Sequence, residues 1–366
     1  MIAQASPPQR NCCRYGTHRV IEPQGALPQA AWRLDNTPIA AENEILCAVE
    51  ALSIDSASFR QMREAADGDP EAIGQAILAT VKQRGKQHNP VTGSGGMFVG
   101  NVVTIGRALQ GCCDARVGDR IASLVSLTLT PLSLERIKHV DLPTARVDVD
   151  GYAVLFACAH FARLPEDIPT GVALAVLDVA GAPAQVRRLA EPGATVVIIG
   201  ADGKSGLLAC AQAKERVGRH GRVIGIAPSG ASAGAVLLHD LGLVDDFIEA
   251  DARNAAGLLD LLPQRIPNLA DLVVNCVNVP GTELASILCA RDEGTVYFFS
   301  MCTSFTAAAL GAEGVGKDVT MIVGNGYTRG HAEIALDTLR ARRPLLDYFT
   351  QTYASTTRGT GGAEAA

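Results

Sequence analysis

Nothing in this sequence narrows its possible folds as much as the run from Val196 to Gly206, VVIIGADGKSG. Four β-branched residues lead straight into a glycine turn, and a helical pattern, Leu207 to Arg216, follows at once. A strand that is apolar at every position has to be covered on both faces, as parallel strands of α/β sheets are. The glycines are spaced G-x-x-G-x-x-G, one residue wider than the commoner G-x-G-x-x-G. Their chemistry is the same: a sharp turn at Gly200, close approach of a pyrophosphate at Gly203, and tight packing of helix on strand at Gly206, with free helix N–H groups facing the anion.

The same alternation fills the second half of the chain. Val223–Ile226 leads into Ala231–Leu241, and Asp245–Ile248, Leu272–Val274 and Val296–Phe299 add three more short apolar runs. This predicts an α/β fold with a Rossmann doubly wound parallel sheet, a dinucleotide-binding domain over 165–329. Over 330–366, HAEIALDTLRARRPLLDYF predicts helix before a Gly/Thr/Ala tail, and this segment is expected to return to the first module. That module, 1–164, reads differently: Ile45–Val49, Val99–Ile105 and Val117–Ala122 are short β-type runs, the last two cut by Gly100 and Gly118. Within it Ile73, Ile77 and Val81 fall at helical spacing, predicting an amphipathic helix over Pro70–Arg84 in an insertion at about 60–86.

Charge and composition exclude several classes. The chain has 32 basic against 38 acidic residues, a net charge of −6, and no dense Lys/Arg block, so nucleic acid is not an expected partner. Apolar stretches are interrupted, at Asp178 and Gly200 for example, before the roughly 20 residues of a membrane-spanning helix. Pro7 and Pro8 stand where a leader peptide needs an unbroken apolar core, and a cytoplasmic protein is expected. The ten cysteines show no C-x-x-C and no Cys/His spacing of a zinc site, so most are expected to be small buried apolar residues.

A dinucleotide on the glycine turn would be held by Gly200, Gly203, Lys204, Ser205 and Gly206. An acid normally grips the adenosine ribose at the end of the next strand, yet here the sequence runs Ile226-Ala227-Pro228-Ser229. With Ala227 in that place, Ser229 suited to a hydroxyl or a phosphate, and Lys204 nearby, composition leans towards NADP. Asn275, Cys276, Val277 and Asn278 follow the fourth strand, and Ser300 and Met301 the fifth; these carboxyl ends are expected to meet the nicotinamide ribose or amide.

A β-rich module followed by a Rossmann half resembles the medium-chain dehydrogenase/reductase superfamily. The resemblance rests on TGSGGMFVG at Thr92–Gly100, where zinc alcohol dehydrogenases carry G-H-E, on Val117-Gly118-Asp119-Arg120, and on the quinone-reductase-like glycine loop. It implies a GroES-like N-terminal domain. Ser94 stands at the zinc-binding His position and Asp55 near the metal Cys, and the four-Cys loop is absent, so neither zinc site carries over and no metal is expected. Longer strings, RYGTHRVIEP at Arg14–Pro23, IDSASF at Ile54–Phe59, HNPVTGSGGM at His88–Met97, NCVNVPGTE at Asn275–Glu283, GTVYFFSM at Gly294–Met301 and GNGY at Gly324–Tyr327, are similar to the L-erythro-3,5-diaminohexanoate dehydrogenase family of bacterial lysine fermentation. That likeness implies NAD(P)-dependent oxidative deamination of a diamino acid to 5-amino-3-oxohexanoate and ammonium in lysine degradation, with NAD the usual acceptor. Two alternatives stay open: a zinc-free NADPH-dependent quinone or enoyl reductase, and a non-catalytic dinucleotide-binding sensor.

Such a deamination needs a base, because hydride leaves a carbon only when its amine is neutral. His88, in the loop before Asn89-Pro90, is the candidate base; the other reading is a histidine that only hydrogen-bonds its turn. Asp55 is the candidate partner for a substrate ammonium or else the N-cap of a following helix, with Ser56 and Ser58 orienting it or relaying protons. Arg19, or Arg14, is the candidate fork for the substrate carboxylate. Tyr15 and His18 share its string and are either at the substrate or in an edge strand. Ser94 is expected in the same cleft, and Asn325 and Tyr327 are expected to close it from the domain junction. Relatives pair through an edge strand, and the apolar run Asp318–Val323 is suited to this, so a homodimer or larger homo-oligomer is expected.

Overall fold

The structure is a computed structural model, and residues 13–89, 93–324 and 326–354 are described. The fold divides into two compact units, one formed by the chain up to Thr170 and the other by Gly171–Ala354. Among the described residues no helix is long and apolar enough to cross a membrane.

The first unit is β-rich. Its elements are β1 (Val20–Glu22), β2 (Arg33–Leu34), β3 (Glu44–Ser53), α1 (Ser56–Ala65), α2 (Pro70–Arg84), β4 (Met97–Ile105), β5 (Arg120–Ser123), β6 (Leu132–Asp141), β7 (Arg146–Phe156) and β8 (Phe161–Arg163). Six of the strands form one antiparallel sheet in the order β6-β7-β3-β4-β5-β8. Cys47, Val49, Leu52, Phe98, Ile121, Val147 and Val149 bury one continuous core within it. The stripe Ile73, Ile77, Val81 is buried as its spacing requires, and α2 packs on β6. Local chemistry fixes the ends of α2: Asp69 accepts from the Glu71 N–H, Pro70 occupies the first turn, and Gly85 closes the helix at φ +66°.

The second unit is the parallel one. Helices α3 (Thr170–Leu177) and α4 (Gly181–Leu189) precede β9 (Thr195–Ile199), α5 (Lys204–Val217), β10 (Arg222–Ala227), α6 (Ala233–Asp240), β11 (Asp246–Glu249), α7 (Ala255–Arg265), β12 (Ala270–Asn275), α8 (Glu283–Cys289), β13 (Ala290–Phe298), α9 (Phe305–Val315) and β14 (Val319–Val323). The six strands run parallel in the order β11-β10-β9-β12-β13-β14. The order reverses beside β9, which makes the carboxyl end of that strand the topological switch point. The chain then forms α10 (His331–Arg340) and α11 (Arg343–Tyr353). The expectation that the segment after 330 returns to the first module extends to 355–366, which lie outside the described residues; α10 and α11 cover 331–353. They belong to the second unit, where α10 packs on α4 and α5 and Gln212 Nε2 donates to Thr338 Oγ1 at 2.9 Å. Periodicity marks an apolar face for burial without saying which surface covers it.

Candidate active site

The first unit contains two polar clusters of opposite character, at opposite ends of β3. At the start of that strand Glu44 is fully buried. Its Oε1 accepts from His18 Nε2 at 2.7 Å and Arg19 Nε at 2.9 Å, and its Oε2 from Arg19 Nη2 at 2.6 Å and the Ala41 N–H at 2.8 Å. Arg19 spends its remaining donors on the carbonyls of Asp35, Thr37 and Ile39. Every guanidinium N–H is thereby used. Burial pushes the Glu44 carboxyl up, but the hydrogen bonds from His18 and Arg19 outweigh it and hold the group at about 2.

This overturns the assignment of Arg19 and His18 to the substrate. Arg19 has no donor left for a carboxylate; His18 is held by Glu44 through Nε2 and packs edge-on against Phe156, while its Nδ1 is buried without a partner. Phe156 pairs with Glu44 across the sheet, and a Cβ on Gly16 would strike its ring, so Tyr15 lies at this end as well. Tyr15 is exposed under the Arg14 guanidinium, 5.3 Å from its ring centre. The ten residues of β3 put roughly 30 Å between this cluster and the other end of the strand. One small-molecule pocket does not span that distance.

At the far end of β3 the polar groups are left open. Asp55 is the N-cap of α1: its Oδ1 accepts from the Ser58 N–H at 2.9 Å, while its Oδ2 is buried without a partner. Ser58 is wholly buried beneath it; the side chain of Ser56 lies outside the described residues. The segment 86–89 closes on the same end of the sheet. A Cβ on Gly96 would lie 2.1 Å from the Ser53 carbonyl oxygen, and one on Gly95 would lie 2.5 Å from that of Gln87. Two adjacent glycines thus let the segment before β4 fit between β3 and the 87–89 loop. Asn89 donates from its backbone to the Ser94 carbonyl and from Nδ2 to Gln61 Oε1 on α1, both at 2.9 Å.

The Nδ1 of His88 is buried without a partner, and so are both amide atoms of Gln87, a side chain with no exposure at all. Burial lowers the His88 pKa, helped by the charges of Arg84 and Lys86, so the ring is neutral at neutral pH. Lys86 is buried as well, donating from Nζ to the Pro28 carbonyl at 2.7 Å and the Gln29 carbonyl at 3.1 Å; burial and Arg84 push it down to about 8. Sequence reasoning missed Gln87 and Lys86. A loop glutamine or lysine reads as solvated, and only burial distinguishes these two. Native proteins rarely leave buried polar atoms unmatched, and Asp55, His88 and Gln87, on segments that meet at this end of the sheet, each keep such an atom, which makes them candidates to hold a cationic, hydrogen-bonding ligand.

In the second unit the glycine turn has the shape its sequence predicts. Gly200 adopts φ +77°, and a Cβ on Gly206 would lie 2.1 Å from the Gly200 carbonyl oxygen. The space over Gly203 at the start of α5 is open, its nearest atom to an added Cβ being 3.6 Å away, so the residues fit a pyrophosphate at this helix N-terminus. Lys204 is bound to Asp178 at 2.5 Å, which meets within the protein the charge that otherwise favours a phosphate. The Ser205 hydroxyl is hydrogen-bonded to the Cys276 thiol.

Asn275 is corrected. Its Nδ2 donates to Thr282 Oγ1 at 2.8 Å and Ser286 Oγ at 2.9 Å, and its Oδ1 accepts from the Val277 N–H. It holds the turn after β12 in shape and has no group free for a cofactor. That turn sets Val277 against Gly200, where an added Cβ would meet it at 3.0 Å. Asn278 is exposed and accepts from the Cys302 thiol at 3.1 Å, Ser300 Oγ accepts from the Cys302 N–H, and Met301 is 86% exposed. Ala227 is buried at the end of β10, and Ser229 Oγ accepts from the Ala231 N–H at 3.2 Å. Tyr327 lies half exposed, its ring 5.2 Å from that of His331. Asn325 lies outside the described residues.

Residues 18–165 match the family model described as L-erythro-3,5-diaminohexanoate dehydrogenase N-terminal domain. The chain is 52% identical over 342 residues, 93% of its length and 99% of the relative's, to L-erythro-3,5-diaminohexanoate dehydrogenase of Acetoanaerobium sticklandii. It is 48% identical, with the same coverage of both chains, to the protein of that name from Fusobacterium nucleatum subsp. nucleatum. Among solved structures, the quinone oxidoreductase of Coxiella burnetii superposes with a TM-score of 0.51 at 18% identity, covering 86% of this chain and 87% of that one. That likeness shows the fold, a Rossmann sheet with a GroES-like β-rich domain.

Proposed function

The chain belongs to the L-erythro-3,5-diaminohexanoate dehydrogenase family, and we propose that it oxidatively deaminates L-erythro-3,5-diaminohexanoate at C3 with NAD as the acceptor. The observation that carries this reading is identity near one half over almost the whole of both chains. The reaction turns the substrate ammonium, NAD and water into 5-amino-3-oxohexanoate, NADH, ammonium and a proton. The bound dinucleotide supplies the hydride acceptor, and the glycine turn at Gly200–Gly206 is the part of this chain that fits its pyrophosphate.

The open cluster supplies the remaining chemistry. The ammonium at C3 has no lone pair until it loses a proton, and only then does the carbon give up hydride to leave an imine. His88, kept neutral by its surroundings, takes that proton and serves the water that adds to the imine. Asp55 offers the free Oδ2 to a substrate ammonium while Oδ1 stays on the Ser58 N–H. Gln87, with a free donor and a free acceptor, holds the substrate's polar groups where no water competes. The protein works in the cytoplasm as a homodimer through the edge strand β14, where Val323 is exposed.

Purified protein mixed with L-erythro-3,5-diaminohexanoate and NAD is expected to form NADH and release ammonium in equal amounts. Absence of both products with either nucleotide, together with consumption of NADPH by quinone or enoyl acceptors, would replace this reading by a reductase.

A further inference from the structure

The adenosine end of the dinucleotide site lacks its usual acid, and the fold places two others around the gap. β10 ends at Ala227, which pairs in register with Glu249 on the neighbouring strand β11. Glu249 Oε2 accepts from the Gly230 N–H at 2.8 Å, which brings the carboxylate over the segment that follows β10. From the other side Asp202, inside the glycine turn, accepts through Oδ2 from the Ser232 hydroxyl at 2.8 Å. A Cβ on Gly234 would lie 2.1 Å from the Asp202 carbonyl oxygen, so the start of α6 lies directly on the turn. Each carboxylate therefore keeps one oxygen that accepts no hydrogen bond among the described residues.

Cations are missing from the same place. Across Gly200–Gly206, Ala227–Gly234 and Glu249–Asn254 the side-chain cations are Lys204 and Arg253. Lys204 is held by Asp178, and Arg253 is gripped by both oxygens of Asp251 at 2.6 and 3.0 Å. A ribose at the end of the second strand of a Rossmann sheet presents two hydroxyl donors in NAD and a phosphate in NADP. Free carboxylate oxygens suit the first and repel the second.

We propose that Glu249 and Asp202 jointly recognise the adenosine ribose, replacing the acid absent at Ala227, and set the preference for NAD over NADP. This rests on the dehydrogenase reading and deepens it. The composition of the 227–229 segment alone points the other way, because the acids reach the ribose from β11 and from the glycine turn.

The test is direct titration of the full-length protein with NADH and with NADPH, followed by nicotinamide fluorescence, without amino-acid substrate. The unsubstituted protein is expected to bind NADH about 100-fold more tightly than NADPH, since facing like charges cost several kcal/mol. Glu249→Gln and Asp202→Asn keep an acceptor for Gly230 and Ser232, and each is expected to shrink the ratio about tenfold. Equal binding of the two nucleotides by the unsubstituted protein, or ratios unmoved by both variants, would overturn the assignment and leave the dehydrogenase reading standing. Binding of neither nucleotide would remove both.

Discussion

The two ends of β3 carry similar residues with opposite fates. At Glu44 every lone pair of the carboxylate and every donor of Arg19 is matched. At Asp55 one carboxylate oxygen, a histidine nitrogen and a whole glutamine amide are buried and left over. Breaking the matched Glu44–Arg19 pair costs stability, because each loss strands a charge, although Nδ1 of His18 beside it is itself buried without a partner. An unmatched group is costly to keep, so its natural partner is a ligand that arrives later. The charge, histidine and arginine content of a string says little about function until the matching is known.

The contrast is exposed most strongly by Glu44→Ala, which strands Arg19 and is expected to cost about 3–5 kcal/mol of stability. The single tryptophan, Trp32, belongs to the first unit and reports its unfolding in urea. A cost under about 1 kcal/mol would mean the network is not closed. The same carboxyl gives a pH signature. Its folded pKa, about 2, lies below the ordinary value of 4.5, so its contribution is complete above about pH 4.5 and is lost as pH falls towards 2. In Glu44→Gln that acid-dependent loss should disappear.

At the open end the readout is kinetic. His88→Gln is expected to lower kcat about 100-fold or more with unfolding unchanged, and in the parent enzyme the acid limb of kcat/KM should lie below pH 6.5. An unchanged limb in the variant would assign the base elsewhere. Asp55→Asn retains a capping side chain but loses the charge, so kcat/KM should fall roughly 10–100-fold while stability moves by under about 1 kcal/mol. Gln87→Leu has the smallest effect and an unusual sign. Removing a buried unmatched amide is expected to raise stability by about 1 kcal/mol and to raise KM several-fold. A fall in stability would show that the amide is already satisfied.

The fold was legible wherever burial imposes a period. The runs Thr195–Ile199 and Val223–Ile226 and the stripe Ile73, Ile77, Val81 all lie in the elements their patterns predict. Helix α1, SASFRQMREA, is only partly legible, through Asp55 as an N-cap and an insertion from about residue 60, because its buried face is short, with Phe59 buried and Met62 packed beside it. The site was legible in type and only partly in place. Asp55 and His88 lie on segments at the same end of the first unit's sheet, whereas Arg19 and His18 are claimed by Glu44, 25 and 26 residues away in sequence, a pairing no local pattern announces. Asn275 is claimed in the same way by Thr282 and Ser286.

The cysteines have a practical consequence for handling the enzyme. Burial pushes the thiols of Cys47, Cys276 and Cys289 up to about 12 and that of Cys210 well above its ordinary value. At neutral pH these sulfurs are protonated, and Cys47, Cys210 and Cys289 are also buried away from alkylating reagents. Cys112 is exposed, and the Thr17 hydroxyl holds the Cys13 thiol below its ordinary value. Among the described cysteines, labelling of the native protein should therefore begin at Cys13 and Cys112, and later reagent uptake at the buried thiols would serve as a clock for unfolding of the interior.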